Sequence, residues 1–442
     1  MANRLLALMA LFFSVTLAHA DNWPGWRGAG GQGQCLEKSL PLTWSAKDSV
    51  RWKVALPDEG SSTPIIWGDR VFMTQASEKS LWPAKGGKGG QGGPAIARKR
   101  SLWCLDRATG KIHWQKDVIY EEKESTHPTN PYCSASPVTD GERIVVSHGS
   151  AGMVCYDFSG KELWKVDVGK LEHDWGNASS PILYGDLAIL WCGPGERVFL
   201  LAVNKTTGAK VWQHDEPSTE ARAYVGSWST PIIAKVKGQD QLILGIAKTP
   251  QSTDPKNGAL KGIDPKTGKE LWACAGLGPC VYSSPLFTHT SQGDDLAVQF
   301  SGFGGPALAV KLGGSDDITK DRLWHHAKQN PQRIGSGVIV GEHIFMLPEN
   351  GTPQCFELTT GKQVWEVKER PGGGAWGSMI HADGRLYVCD RGGNTYVFAA
   401  DPKKYELLAT NRINEHVDAS IAISGGDIFI RSFKHLWCIG GK

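Results

Sequence analysis

Apolar and polar positions alternate along this chain in short runs, and one thirteen-residue frame keeps returning. Leu102–Trp114 reads L-W-C-L-D-R-A-T-G-K-I-H-W, and the frame recurs at Met153–Trp164, Leu200–Trp212, Leu260–Trp272 and Pro353–Trp365. Each copy predicts a short strand, an Asp/Asn-x-x-Thr/Ser-Gly turn or a close variant, and a second strand ending in Trp, which is a repeated hairpin. A helical array would show an apolar period of 3.6, and none is present. From Trp114 the marker tryptophans fall at Trp164, Trp212, Trp272, Trp324 and Trp365, steps of 50, 48, 60, 52 and 41 residues. Units of that length built only from short strands predict four-stranded propeller blades.

A second marker opens each unit ahead of an apolar run. It reads Ser62-Thr63-Pro64, Ser136-Pro137, Ser179-Ser180-Pro181, Ser229-Thr230-Pro231 and Ser283-Ser284-Pro285, then degenerates to Gly335-Ser336, Gly377-Ser378 and Ala419-Ser420. Eight openings predict eight blades, an all-β fold over residues 50–440. The last unit ends at Leu436-Trp437-Cys438-Ile439 without its Trp strand, whereas Val50-Arg51-Trp52-Lys53-Val54 carries that strand without a hairpin before it. The N-terminal strand is therefore expected to complete the last blade and close the ring. Each marker Trp is expected to bury about 200 Å² between blades, roughly 5 kcal/mol before entropy is subtracted. Blade seven has Leu407 where Trp is expected.

Composition adds the compartment. Residues 1–20 have a short basic start, the apolar run Leu5–Leu17 and the small-x-small site Ala18-His19-Ala20, the pattern of a secretory signal peptide. No transmembrane segment is expected, residues 21–49 form an N-terminal extension, and Pro83–Arg100 reads as a flexible insertion in blade one. The formal charge of +3 falls to about +2 once Arg4 leaves with the leader, which gives no electrostatic case for nucleic acid. Of ten cysteines, Cys104, Cys155, Cys355 and Cys438 occupy one repeat position that holds Ala202, Gly262 and Ala309 elsewhere, so they read as packed thiols. Cys274 and Cys280 form the best local disulfide candidate. No C-x-x-C or H-E-x-x-H motif occurs, and two G-x-G-x-x-G matches, starting at Gly28 and Gly87, lack the strand and helix a dinucleotide site needs.

Loops from each outer strand to the next inner strand gather at one mouth of a propeller channel. Here they carry His127, Asn130 and Tyr132, then His173, Asp174, Trp175 and Asn177, then Arg222, Tyr224 and Trp228, and later Gln332-Arg333, Trp376 and His416-Val417-Asp418. Aromatic, imidazole, amide and guanidinium groups converging on a cleft suit a polar ligand or a peptide. Two roles stay open for Trp175, Trp228, Tyr282 and Trp376: plugging the channel or touching a ligand. His173 and Asp174 are adjacent, so in an extended strand they point to opposite faces.

The A/C-x-D-x-x-T-G-K-x-x-W frame resembles the pyrroloquinoline quinone (PQQ) repeat over roughly residues 44–440. That resemblance implies an eight-bladed propeller and two functional branches. One is the BamB-like proteins, non-catalytic scaffolds of outer-membrane assembly; the other is quinoprotein dehydrogenases that hold PQQ and calcium. The opening N-W-P-G-W-R-G also resembles exported PQQ-like propellers of planctomycete-type bacteria. The adjacent cysteine pair characteristic of the dehydrogenases is missing here. The expectation is a monomeric scaffold in the periplasm or on the cell surface, without a cofactor, binding an envelope or outer-membrane protein. The alternative is a PQQ- and calcium-dependent oxidoreductase acting on alcohols or sugars; a carbohydrate-binding propeller is a third reading.

Overall fold

In a computed structural model the chain is described over residues 22–79, 97–122, 124–216, 225–247, 258–328, 332–365, 367 and 369–441. The expected leader at residues 1–20 and residues 83–96 of the expected insertion lie outside the described residues. Ala97–Arg100, expected in that insertion, instead begin the strand Ala97–Asp106, with Arg100 buried and paired to Ala76. Strands dominate, with three short 3₁₀ turns and no α-helix among the described residues. Eight antiparallel blades form a closed ring, with inner strands opening at Ile65, Val138, Ile182, Ile232, Leu286, Val338, Ile380 and Ala422. Blade six has three strands plus a remnant of the fourth, the bridge between Phe356 and Gln363. Blade seven has all four despite lacking its Trp.

The expected closure is present. Val50–Ala55 lies antiparallel to His435–Gly440, with Trp52 opposite Cys438 and Val54 opposite Leu436, so the first strand completes the last blade.

Both parts of the repeated frame serve one contact. The indole Nε1 of an outer-strand Trp donates to a backbone carbonyl in the turn of the following blade. Trp52 reaches Arg107 O at 2.8 Å, Trp114 reaches Phe158 O at 3.1 Å and Trp164 reaches Lys205 O at 2.9 Å. Trp212, Trp324 and Trp365 do the same to Pro265, Leu358 and Asp401. The turn glycine is what lets the ring sit there. Gly208 has φ +72°, and a Cβ on it would stand 2.8 Å from Trp164. Across the same strand pair the Trp faces a small residue: Cys104 opposite Trp114, Cys155 opposite Trp164, Ala202 opposite Trp212. That is why the cysteines share a position.

Blade four departs from the rule. Trp272 donates to Gln241 Oε1 of its own blade at 2.7 Å and lies over Gly262, where a Cβ would stand 2.1 Å from the indole. Asp316–Asp317, from a blade-five loop, adds a parallel fifth strand outside Trp272–Ala273.

The Ser/Thr markers form a second belt around the channel. Thr63 N donates to Ser136 Oγ, Ser136 N to Ser180 Oγ and Ser180 N to Thr230 Oγ1, at 2.9–3.0 Å. Ser284, Ser336 and Ser378 continue the pattern to Ser336, Ser378 and Ser420. Between the two runs, Ser284 Oγ donates instead to Thr230 O at 2.6 Å. Six of the marker amides thus find a hydroxyl partner in the next blade.

None of the ten cysteines is in a disulfide, Cys274 and Cys280 included. Their closeness in sequence misled: Cys274 faces the core opposite Leu260 in blade four, whereas Cys280 pairs in register with Gly226 in a separate two-stranded sheet.

Trp164→Phe keeps the ring and removes one indole-carbonyl bond, so it should cost about 1 kcal/mol. Gly208→Ala forces a side chain into a left-handed turn against that ring and should cost about 2 kcal/mol. Urea unfolding midpoints check both, and the glycine variant must be the worse.

Candidate functional site

The mouth holds a cavity of about 410 Å³. Its floor comes from a segment that the repeat does not contain. Residues Asn22–Cys35 cross the opposite end of the channel, stapled to the inner strands. Trp23 bridges Ile66, Pro24 O accepts from Thr139 N at 2.8 Å, Gln32 Oε1 accepts from Phe287 N at 2.9 Å, and Gln34 pairs in parallel with His381. Trp26 projects inward, donates to Ser420 Oγ at 3.3 Å and lines the cavity with belt hydroxyls of Ser180 and Thr230. The channel is blind. Arg27, fully buried beside it, donates to Gln32 O at 3.1 Å and to Gly337 O, and burial pulls its pKa down to about 9.

One wall is aromatic. Trp175 stacks on Phe303 at 5.2 Å and 22°, Trp228 lies 5.8 Å from Trp175, and Tyr282 lies 5.1 Å from Trp228. Trp228 Nε1 donates to Gly176 O at 2.8 Å, which fixes its plane. His173 stands behind, buried, edge-on to Trp228 at 5.0 Å, its Nδ1 accepting from the Trp175 amide at 3.0 Å. Burial lowers its pKa to about 4, so it is neutral near pH 7.

The far wall is polar. The Arg391 guanidinium lies flat on Trp376, 4.1 Å from the ring centroid, and its Nε donates to Asp418 Oδ1 at 2.9 Å. His416 Nε2 sits 2.9 Å from the other Asp418 oxygen, out of line for a hydrogen bond, and its ring packs 4.3 Å from Phe433. Glu349 and Gln332 lie between the two walls.

Of the expected mouth residues, His127, Asn130, Trp175, Trp228 and Trp376 line the cavity together. His127 pairs with Thr129 Oγ1 at 2.7 Å, and Asn130 Nδ2 holds Trp175 O at 2.6 Å. Others do not reach it. Asp174 is exposed in a turn rather than a strand, closed by Gly176 N on His173 O at 2.8 Å, while His173 is buried. Tyr132 and Asn177 belong to a network beneath the rim: buried Arg100 pairs with buried Glu124 and lies over Tyr132, while Asn177 donates to Glu124 Oε1 at 2.9 Å. Arg333 is buried against Phe300 and Phe356 and donates to Gln354 Oε1 at 2.8 Å, inside the blades rather than in the mouth. His416 acts behind Asp418. Arg222 and Tyr224 lie outside the described residues.

Sequence reasoning missed Phe303, Glu349 and Arg391, which come from hairpins between second and third strands, and Trp26 from the extension. Those hairpins open on the same mouth, and each residue follows closely on a second strand. That position was the available signal.

Among the described residues, ligand atoms converge for a metal at His214, Glu216 and Glu270, between blades three and four. Lys261 Nζ already sits there, 2.8 Å from Glu216 and 2.7 Å from Glu270.

His173 binds no proton when folded at neutral pH but titrates near 6.5 unfolded. A depressed pKa means its contribution is present above about 6.5 and is lost as pH falls towards 4. His173→Asn should therefore flatten the loss of stability between those values, measured by denaturant unfolding across pH.

Residues 98–276 match the model of a family described as outer membrane protein assembly factor BamB. No curated protein matches the sequence. Among solved structures, a europium-containing methanol dehydrogenase matches with TM-score 0.67 at 11% identity, covering 94% of this chain and 90% of that one. The quinohemoprotein alcohol dehydrogenase of Comamonas testosteroni gives 0.67 at 11%, covering 96% and 81%. BamB from Moraxella catarrhalis gives 0.57 at 12%, covering 87% and 98%. No helix of the described residues is long and apolar enough to cross a membrane. The repeat, the ring and these matches agree on the fold: this chain is an eight-bladed β-propeller, similar over residues 98–276 to the BamB assembly-factor family.

Proposed function

We propose that this propeller is an exported, non-catalytic binding scaffold of the cell envelope, which holds part of a protein partner or a small ligand in its blind mouth. One observation carries the reading: the far wall's reactive groups are already spent on one another. Asp418 is held by Arg391 and lies beside His416, each at 2.9 Å, so this carboxylate is not a free base. Glu349, the other carboxylate lining the cavity, has no histidine paired with it among the described residues. An apolar wall facing fixed polar groups is the make-up of a recognition site. The match to the BamB family supports a partner in the envelope, and the leader pattern at residues 1–20 supports export.

The aromatic wall also favours a second reading, since a flat tricyclic quinone stacks on indole, and a quinohemoprotein alcohol dehydrogenase shares the fold. The ring fits that wall. Calcium needs six or more oxygens at one point. Among the described residues no three acidic, His or Cys ligand atoms converge in the cavity, so no carboxylate cluster is there to hold the ion, and no catalytic step is assigned to this site.

Two experiments separate the readings. Mature protein mixed with PQQ and calcium should reduce no dye with alcohols or sugars; turnover would overthrow the scaffold reading. Crosslinking in envelope fractions should recover a defined envelope or outer-membrane protein, and Trp175→Ala with Trp376→Ala should abolish that capture while unfolding stays cooperative. A double variant that captures normally would sink the mouth as the binding surface.

A further inference from the structure

Glu349 is the one charged group lining the mouth that has no counter-ion among the described residues. Arg391 is balanced by Asp418, and His416 faces the same carboxylate. The Glu349 carboxylate takes part in no ion pair or hydrogen bond among the described residues, and Glu349 lines the cavity together with Trp228, Tyr282 and Phe303. Glu349 is thus the acidic group of the mouth that no cation among the described residues balances.

The neighbouring surface is the aromatic wall. Tyr282 stands 5.1 Å from Trp228 and 6.4 Å from Phe303, and Phe303 is 44% exposed. A carboxylate beside electron-rich ring faces is complementary to an organic cation: the carboxylate supplies a charge-assisted hydrogen bond, and the rings attract the flanking methylenes and the positive charge. An inorganic cation gains little from those rings, and an organic anion would meet Glu349 as a like charge. The blind floor built by Trp26 keeps water access to the mouth side, so the field of Glu349 is screened less than at an open surface.

We propose that the mouth cavity selects an alkylammonium group, held by Glu349 against the wall of Trp228, Tyr282 and Phe303. The inference rests on the binding reading above and names the chemistry of what is bound. The group comes either from a free small amine or from a lysine side chain of a partner.

Calorimetric titration of the full mature chain with three size-matched probes tests it: phenethylamine, phenylacetate and phenethyl alcohol. The amine should bind at least tenfold more tightly than the acid. Glu349→Gln should remove at least tenfold of the amine affinity and leave the alcohol unchanged, with an unaltered thermal midpoint. Should that variant fold poorly, raising salt from about 50 to 500 mM on the native chain should weaken the amine several-fold and spare the alcohol. Tighter binding of a blocked Gly-Lys-Gly peptide than of the amine, lost on Nε-acetylation, identifies a protein source; the reverse order identifies a small molecule. Equal binding of acid and amine, or an amine affinity indifferent to both Glu349→Gln and salt, overturns the inference. If the alcohol or acid binds in a Trp175-dependent way while the amine does not, the binding reading survives alone. If no probe binds, the inference falls and the crosslinking result decides the binding reading.

Discussion

An indole seated on the turn of the next blade is the contact on which this ring depends. It combines a large apolar surface with one directed bond, from Nε1 to a carbonyl that would otherwise face solvent at the turn. Buried aromatic surface drives the packing, and the bond fixes how far one blade is rotated against its neighbour. Because donor and acceptor lie in different repeats, the Trp, the small residue opposite it and the turn glycine must occur together. Nearer the axis, the Ser/Thr belt repeats the same logic with hydroxyls. Two rings of inter-blade bonds at different radii hold the blade angle.

The exceptions follow from the same constraint. Blade eight has no covalent turn between its third and outer strands, because the chain ends meet there, with Gly440 N donating to Ser49 O at 2.9 Å. A tryptophan in blade seven would have no turn to sit on, and Leu407 stands in its place. The extension fills the gap: Trp44 is buried in the cluster that joins blades seven, eight and one, with its amide on Asn411 Oδ1 at 2.7 Å. The same extension closes the channel through Trp26 and Arg27, so one segment stabilises the seam and shapes the cavity.

Blade number, strand order and the N-terminal clasp were legible because they rest on short local motifs repeated at a fixed period. The aromatic members of the mouth, Trp175, Trp228 and Trp376, were legible for the same reason: their loops sit at a known point of each repeat. What escaped had no local signature. The path of Asn22–Cys35 is set by contacts with residues hundreds of positions away, such as Gln34 with Ile339 and His381. Arg333 looks like a loop residue in sequence, yet its side chain turns into the blades towards Phe300 and Phe356. Glu349 and Arg391 lie in hairpins whose sequences differ from blade to blade, so only their place just after a second strand marks them, and no recurring residue type does.

Closure predicts a common stability for parts of the chain that are far apart in sequence. Hydrogen-deuterium exchange reads this directly at the belt amides of Ser136, Ser180, Ser336 and Ser378 and in the clasp strand Val50–Ala55. Ring closure predicts that all of them exchange only through one shared opening, with the clasp as well protected as the belt. Rapid exchange of Val50–Ala55 while the belt stays protected would contradict it, because the ring would then persist without its seam.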